Sequence, residues 1–255
     1  MESSPTVSVV VPTLNEGALL GSLLESLKNQ DRPPLEVIVV DGGSTDATTA
    51  IAESYGAEVL SSPGLKEFPS RNLGAEQSLG TILLFTGADV VFPRTTVGRI
   101  TDRFAGDAEL LAVAGPGIPI HPPLMLGVEY AVYNFVRYAA ATLPKPLKRF
   151  SSSTNLLAVR KSVFEQLHGF EAENVNADGN FGALLSAGGK VSYSHWPIRA
   201  RISSRRLHQE GFIGFNSHFL YVLENFLPFL SRMPFLKRSK RGSAARHSDM
   251  RKEEK

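Results

Sequence analysis

A chain of 255 residues, 42% hydrophobic and 20% charged, can bury the core of one generous α/β domain or of a domain with appendages. It contains no cysteine, which excludes a disulfide framework or a thiolate metal site and fits a reducing compartment. The net charge of +2 is uneven: residues 237–255 hold eight Lys/Arg against three Asp/Glu, net +5, leaving −3 on the remainder, and no aromatic residues interleave those charges as single-stranded nucleic-acid binding would need.

Residues 1–5 reach an apolar run without a basic n-region and are not expected to form a secretory signal. Residues 7–11 are continuously apolar and read as a strand. Residues 16–30 carry Leu19, Leu20, Leu23, Leu24 and Leu27 at helical spacing. A β-branched strand at 35–40, a helix at 45–55 and a short strand at 57–60 follow. The pattern then predicts a helix at 69–79, a strand at 81–85, a helix at 93–104 opening with proline, and a strand at 110–114. Apolar strands alternating with helices predict a mostly parallel sheet covered on both faces.

Beyond a Pro/Gly-rich connection at 116–123, residues 124–142 read as a long helix. Glu129, Asn134 and Arg137 make it too polar for a comfortable membrane span. A basic loop at 143–153 precedes a strand at 155–159 and a short helix at 161–167. After Gly169-Phe170 come a carboxylate region at 171–178, a helix to residue 187 and a last strand at 190–194. The aromatic-rich stretch 212–236 runs into the basic tail. Core packing and an interfacial membrane segment are both compatible with it.

In parallel sheets ligands sit beyond the carboxyl ends of the strands. Three polar clusters fall there: Pro12-Thr13-Leu14-Asn15-Glu16, Asp41-Gly42-Gly43-Ser44-Thr45-Asp46, and Asp89 in "LLFTGADVVFP". No dinucleotide-binding or P-loop glycine motif occurs. Asp41 suits either a turn or a hydrogen-bond acceptor for a base or ribose. Asp89 suits either a strand-end turn or a hard ligand for Mg²⁺ or Mn²⁺. Arg71 offers a surface ion pair or an anion contact. Asp178 is either a helix cap or a general base. Arg205 and Arg206 form a solvated loop or neutralise a departing diphosphate.

"PTLNE", "DGGSTD", "SRNLGAEQSLGTILLFTGADV", then "GF" and a carboxylate motif, in this order, resemble the family-2 glycosyltransferases of the GT-A fold. The resemblance is closest over residues 7–115, looser over 150–207 and weak elsewhere. It implies an α/β, single Rossmann-like domain over 1–210, with a nucleotide-binding half (1–115) and an acceptor half (116–210). A C-terminal helical segment at 211–236 and a disordered tail at 237–255 would follow. It places Pro12, Glu16, Asp41 and Arg71 around the nucleoside of a nucleoside-diphosphate sugar. Asp89 becomes the ligand for a divalent cation and the diphosphate, Asp178 the base of an inverting transfer, and Arg205 and Arg206 the basic motif. Gly87 and Ala177 stand where the family pattern has acidic residues, and the Gln-x-x-Arg-Trp motif of processive synthases is absent.

The expected function is metal-dependent transfer of one sugar to a hydroxyl or phosphate, on a lipid or polyprenyl-phosphate acceptor if the apolar segment meets a membrane. The expected place is the cytoplasm, peripheral to the inner membrane face, with no nucleic-acid partner. A nucleotidyltransferase and a non-catalytic sugar-nucleotide-binding scaffold remain open alternatives.

Overall fold

The valine run near the N-terminus forms β1 (Val7–Thr13), whose Val7, Val9, Val10 and Val11 are buried. A strand this apolar must be covered on both faces, and it lies inside the sheet. The computed structural model describes residues 4–143, 153–172, 177–194 and 198–203. After β1 come α1 (Gly17–Lys28), β2 (Glu36–Asp41), α2 (Thr48–Ser54), β3 (Glu58–Ser61), α3 (Glu67–Gln77) and β4 (Ile82–Phe85). Then follow β5 (Val90–Val91), α4 (Thr96–Ala105), β6 (Leu110–Ala114), β7 (Gly117–Pro119) and α5 (Leu124–Thr142). The last elements are β8 (Leu157–Arg160), α6 (Lys161–Gln166), α7 (Ala177–Gly188), β9 (Lys190–Tyr193) and β10 (Ala200–Ile202).

Seven strands form one sheet in the order β3-β2-β1-β4-β8-β6-β9. All pairings are parallel except those of β8, which runs antiparallel to both β4 and β6. The chain builds outward from β1 through β2 to β3, then returns to place β4 on the other side of β1. That reversal makes a crevice beyond the carboxyl ends of β1 and β4, where such sheets take their ligands. The expected α/β architecture is therefore present, and its switch point lies between the "PTLNE" loop and Asp89.

Apolar clusters cover the two sheet faces. On one, Leu20, Leu23, Leu24 and Leu27 of α1 and Ile100 and Phe104 of α4 meet Val9, Val11 and Leu84. On the other, Phe85, Phe164, Phe170 and Phe181 stack with ring centroids 5.0–5.3 Å apart. Edge-on and tilted aromatic pairs of this kind contribute about 0.5–1.5 kcal/mol each beyond the area they bury.

Three short strands were not expected. β5, β10 and β7 make a small separate sheet, with β10 antiparallel to β5 and parallel to β7. It turns part of the expected Pro/Gly-rich connection at 116–123 into paired structure. It also fixes the backbone at Asp89, whose carbonyl accepts the Ser203 amide at 2.9 Å. The compact unit ends at Ser203. Arg205, Arg206, the 211–236 segment and the basic tail lie outside the described residues, as does most of the 143–153 loop.

Candidate active site

The loops after β1 and β2 are laced together. Asn15, at a φ of +53°, donates its amide to Ser44 Oγ at 2.8 Å and accepts the Thr45 amide on its side chain at 2.9 Å. The Glu16 amide donates to Thr48 Oγ1 at 2.9 Å, and Asp46 accepts the Gly17 amide at 3.0 Å. Asp46 also accepts the Thr48 amide and hydroxyl. Burial pushes the Asp46 carboxyl up, but the bonds from Thr48 and Gly17 outweigh it and hold the group below its ordinary range. These bonds occupy residues 44–47, so α2 begins at Thr48 rather than at the expected residue 45.

Asp41 is 4% exposed. One carboxylate oxygen accepts the Gly43 and Ser44 amides at 3.0 and 2.8 Å; the other accepts the Ser44 and Thr13 hydroxyls at 2.5 and 3.2 Å. Four donors fill the usual capacity of a carboxylate. In this structure Asp41 organises the loop. Pro12 sits at the end of β1 opposite Val40, and Glu16 precedes α1.

Arg71 was expected to open its helix. The helix starts earlier, at Glu67, which puts Arg71 in the second turn and only 2% exposed. Its guanidinium donates to the Thr86 carbonyl at 2.8 Å and to Glu67 at 2.9 Å, while Nε is buried without a hydrogen-bond partner. Arg71 therefore buttresses the end of β4 from below. Next to it, Asn72 donates to the Phe170 carbonyl at 2.8 Å and accepts the Phe170 amide at 2.9 Å. Gly169 packs so close that an added Cβ would lie 2.7 Å from Asn72 Oδ1, and its φ of +68° also favours glycine. Asn72 thus ties α3 to the turn that leads toward α7.

Asp178 lies in the first turn of α7. Burial, then the charge of Glu67, pushes its carboxyl up to about 6; the Gly179 amide, Arg71 and Arg137 pull the other way. An acid held near neutrality among fixed charges is a candidate general base. The neighbouring Ala177 is 1% exposed and packs into the Phe164–Phe170–Phe181 cluster. A carboxylate there would be buried among apolar groups, which accounts for the missing acid.

Asp89 stands just past β4 between Gly87 and Val90. Among the described residues none hydrogen-bonds to its carboxylate. A Cβ at Gly87 would lie 2.9 Å from Asp89 Oδ1 and 3.9 Å from Asn155 Oδ1, so glycine leaves room for the carboxylate to lean over the strand end. The donor set fits a hard cation, as one free carboxylate oxygen donor, but no group of three potential ligands exists among the described residues. Phosphate oxygens of a bound diphosphate would have to complete the coordination.

The structure thus brings Pro12, Glu16 and Asp41 to adjoining strand ends, and sets Arg71 under the β4 end that carries Asp89. It places Asp178 within electrostatic reach of Arg71. Glu67, Arg137 and Asn155 also surround the site. Sequence gave no signal for the first two, which look like ordinary helical charges, and Asn155 reads as the start of a strand.

Residues 8–167, more than half of the chain, match the family model described as glycosyl transferase family 2. The chain belongs to that family. The O-antigen chain rhamnosyltransferase RfbN of Salmonella typhimurium is 27% identical over 198 residues, covering 73% of this chain and 63% of that protein. The rhamnosyltransferase WbaN of Salmonella anatum is 29% identical over 206 residues, covering 74% and 64%. The chain thus spans somewhat less than two thirds of the length of these relatives. Among solved structures, the mannosyltransferase PcManGT of Pyrobaculum calidifontis, in complex with GDP-Man and Mn²⁺, superposes over 97% of this chain and 76% of its own, with a TM-score of 0.66 and 21% identity. Glucosyl-3-phosphoglycerate synthase of Mycobacterium tuberculosis, with Mn²⁺, UDP-Glc and phosphoglyceric acid, covers 89% and 80%, with a TM-score of 0.59 and 18% identity. The fold is the GT-A fold of these family-2 enzymes.

Proposed function

We propose that this family-2 protein is an inverting glycosyltransferase that moves one sugar from a nucleoside-diphosphate sugar to an acceptor hydroxyl. The observation that carries the reading is the pairing of Asp178, a carboxyl raised to about 6, with the unengaged carboxylate of Asp89 at the β4 end. The laced loops at residues 12–16 and 41–48 form the floor for the nucleoside, with Asp41 holding their shape. Asp89 holds Mn²⁺ or Mg²⁺, which when bound supplies charge neutralisation for the diphosphate. Asp178 takes the acceptor proton, and Arg71 keeps the strand end and the base in register. Arg205 and Arg206, which begin two residues past Ser203, are assigned to the departing diphosphate. The metal-bound nucleotide-sugar complexes of the structural neighbours support the donor class, and the O-antigen relatives favour a glycan or lipid-linked acceptor. The 211–236 segment and the basic tail would give a peripheral place on a membrane.

The test is a screen of nucleotide sugars with Mn²⁺ that identifies the released product. Nucleoside diphosphate supports the reading, whereas pyrophosphate would make the protein a nucleotidyltransferase. Donor binding without any turnover would leave only a binding scaffold. Asp178→Asn should retain donor binding and lose about 10²–10⁴ in rate.

A further inference from the structure

Helix α5 is built inside out. Its polar residues face the protein: Asn134 donates to the Gly117 carbonyl at 2.8 Å and accepts the Tyr193 hydroxyl at 3.2 Å. Arg137 is 1% exposed, its guanidinium 5.2 Å from the Tyr133 ring and 4.8 Å from the Tyr193 ring. One carboxylate oxygen of Glu129 is buried as well. The side turned away carries Leu124 at 85% exposure, Met125, Val128, Val132 and Phe135 at 64%. At about 100° per residue these five side chains share an arc of roughly 100°. Neither of the helix's two charged residues lies on that arc. A surface helix normally shows the opposite arrangement, and a contiguous apolar stripe marks a contact surface.

The charge around the stripe selects the partner. Residues 144–150, directly after the helix, read PKPLKRF, with Lys145, Lys148 and Arg149 and no acid. Pairing two copies of the chain along α5 would bring two such cation sets together. An anionic lipid surface would instead take the apolar stripe into its interfacial layer and neutralise the cations. The helix, 19 residues or roughly 28 Å long, fits lying in the plane of such a surface. Among the described residues no helix is long and apolar enough to cross a membrane, which leaves lying on it.

We propose that the outward face of α5 docks the protein on anionic membranes. The inference does not depend on the reaction assigned above, since donor binding is read separately in the same variants. The experiment is flotation of the full chain with phosphatidylcholine vesicles, with and without phosphatidylglycerol. The expected result is flotation that is stronger with the anionic lipid and weakened by salt. Val132→Glu/Phe135→Glu should lower partitioning about tenfold or more, because buried apolar side chains carry the attachment. Leu124→Gln/Val128→Gln provides a second, independent disruption should the first variant fold poorly. Replacing Lys145, Lys148 and Arg149 by Gln should weaken only the anionic component. Wild-type protein that stays with the buffer overturns the proposal, as do stripe variants that float like wild type. A wild-type dimer that the stripe substitutions convert to monomer, without any change in lipid binding, would assign the face to a second copy instead.

Discussion

At the scale of single residues, Asp178 carries a stability penalty that the proposed chemistry requires. Its carboxyl is raised from 3.8 to about 6 in the folded protein, so the native state binds more protons than the unfolded chain between those values. Stability therefore falls as pH rises through that window, and the deficit is fully present above about pH 6. It amounts to at most about 3 kcal/mol. Asp178→Asn should accordingly raise the melting temperature at pH 8 and leave it nearly unchanged at pH 4, read by calorimetry at both. Equal shifts at the two pH values would mean that the carboxyl is not strained by ionisation. The same group sets the acid limb of the rate. A base with this pKa makes kcat/KM fall about tenfold between its plateau and pH 5. Because the Glu67 charge raises Asp178 and Arg71 opposes it, Glu67→Gln should move that limb to lower pH. An unmoved limb would place the titrating group elsewhere.

At the scale of elements, the link between α3 and the Gly169-Phe170 turn positions the approach to α7. Asn72→Ala removes two hydrogen bonds to the Phe170 backbone and should cost about 1–3 kcal/mol, read from the denaturant midpoint. Transfer should slow while donor affinity holds, since the nucleoside loops are not touched. The long apolar strands and leucine-spaced helices were legible because burial on both sheet faces writes itself as periodicity. β5, β7 and β10 have two or three residues each and include Gly and Pro, too short to carry any period, so only tertiary pairing defines them. Helix α5 was visible as a helix, but not its orientation. Glu129, Asn134 and Arg137 read as a solvent side, and it is Tyr133, Tyr193 and the β7 backbone that draw that side inward. Arg71 misled in the same way: its burial comes from α3 starting one turn earlier than Pro69 suggested.

At the scale of the whole molecule, one topological reversal gathers the site. The strand order puts the ends of β1, β2 and β4 side by side, so segments far apart in sequence meet at one crevice. The order of the motifs made the fold and family readable before any coordinates. It could not show that the Asp41 carboxylate turns inward to its own loop, because a turn residue and a ligand have the same sequence signature. The central claim is that this crevice binds a nucleoside diphosphate through a divalent ion on Asp89. Titration calorimetry of nucleoside diphosphates tests it most directly, with Mn²⁺ or with chelator, on wild type and Asp89→Asn. The account predicts tighter binding with Mn²⁺ for the wild type and a loss of about tenfold or more of that gain in the variant. Affinity equal in both proteins, with or without the metal, would contradict it.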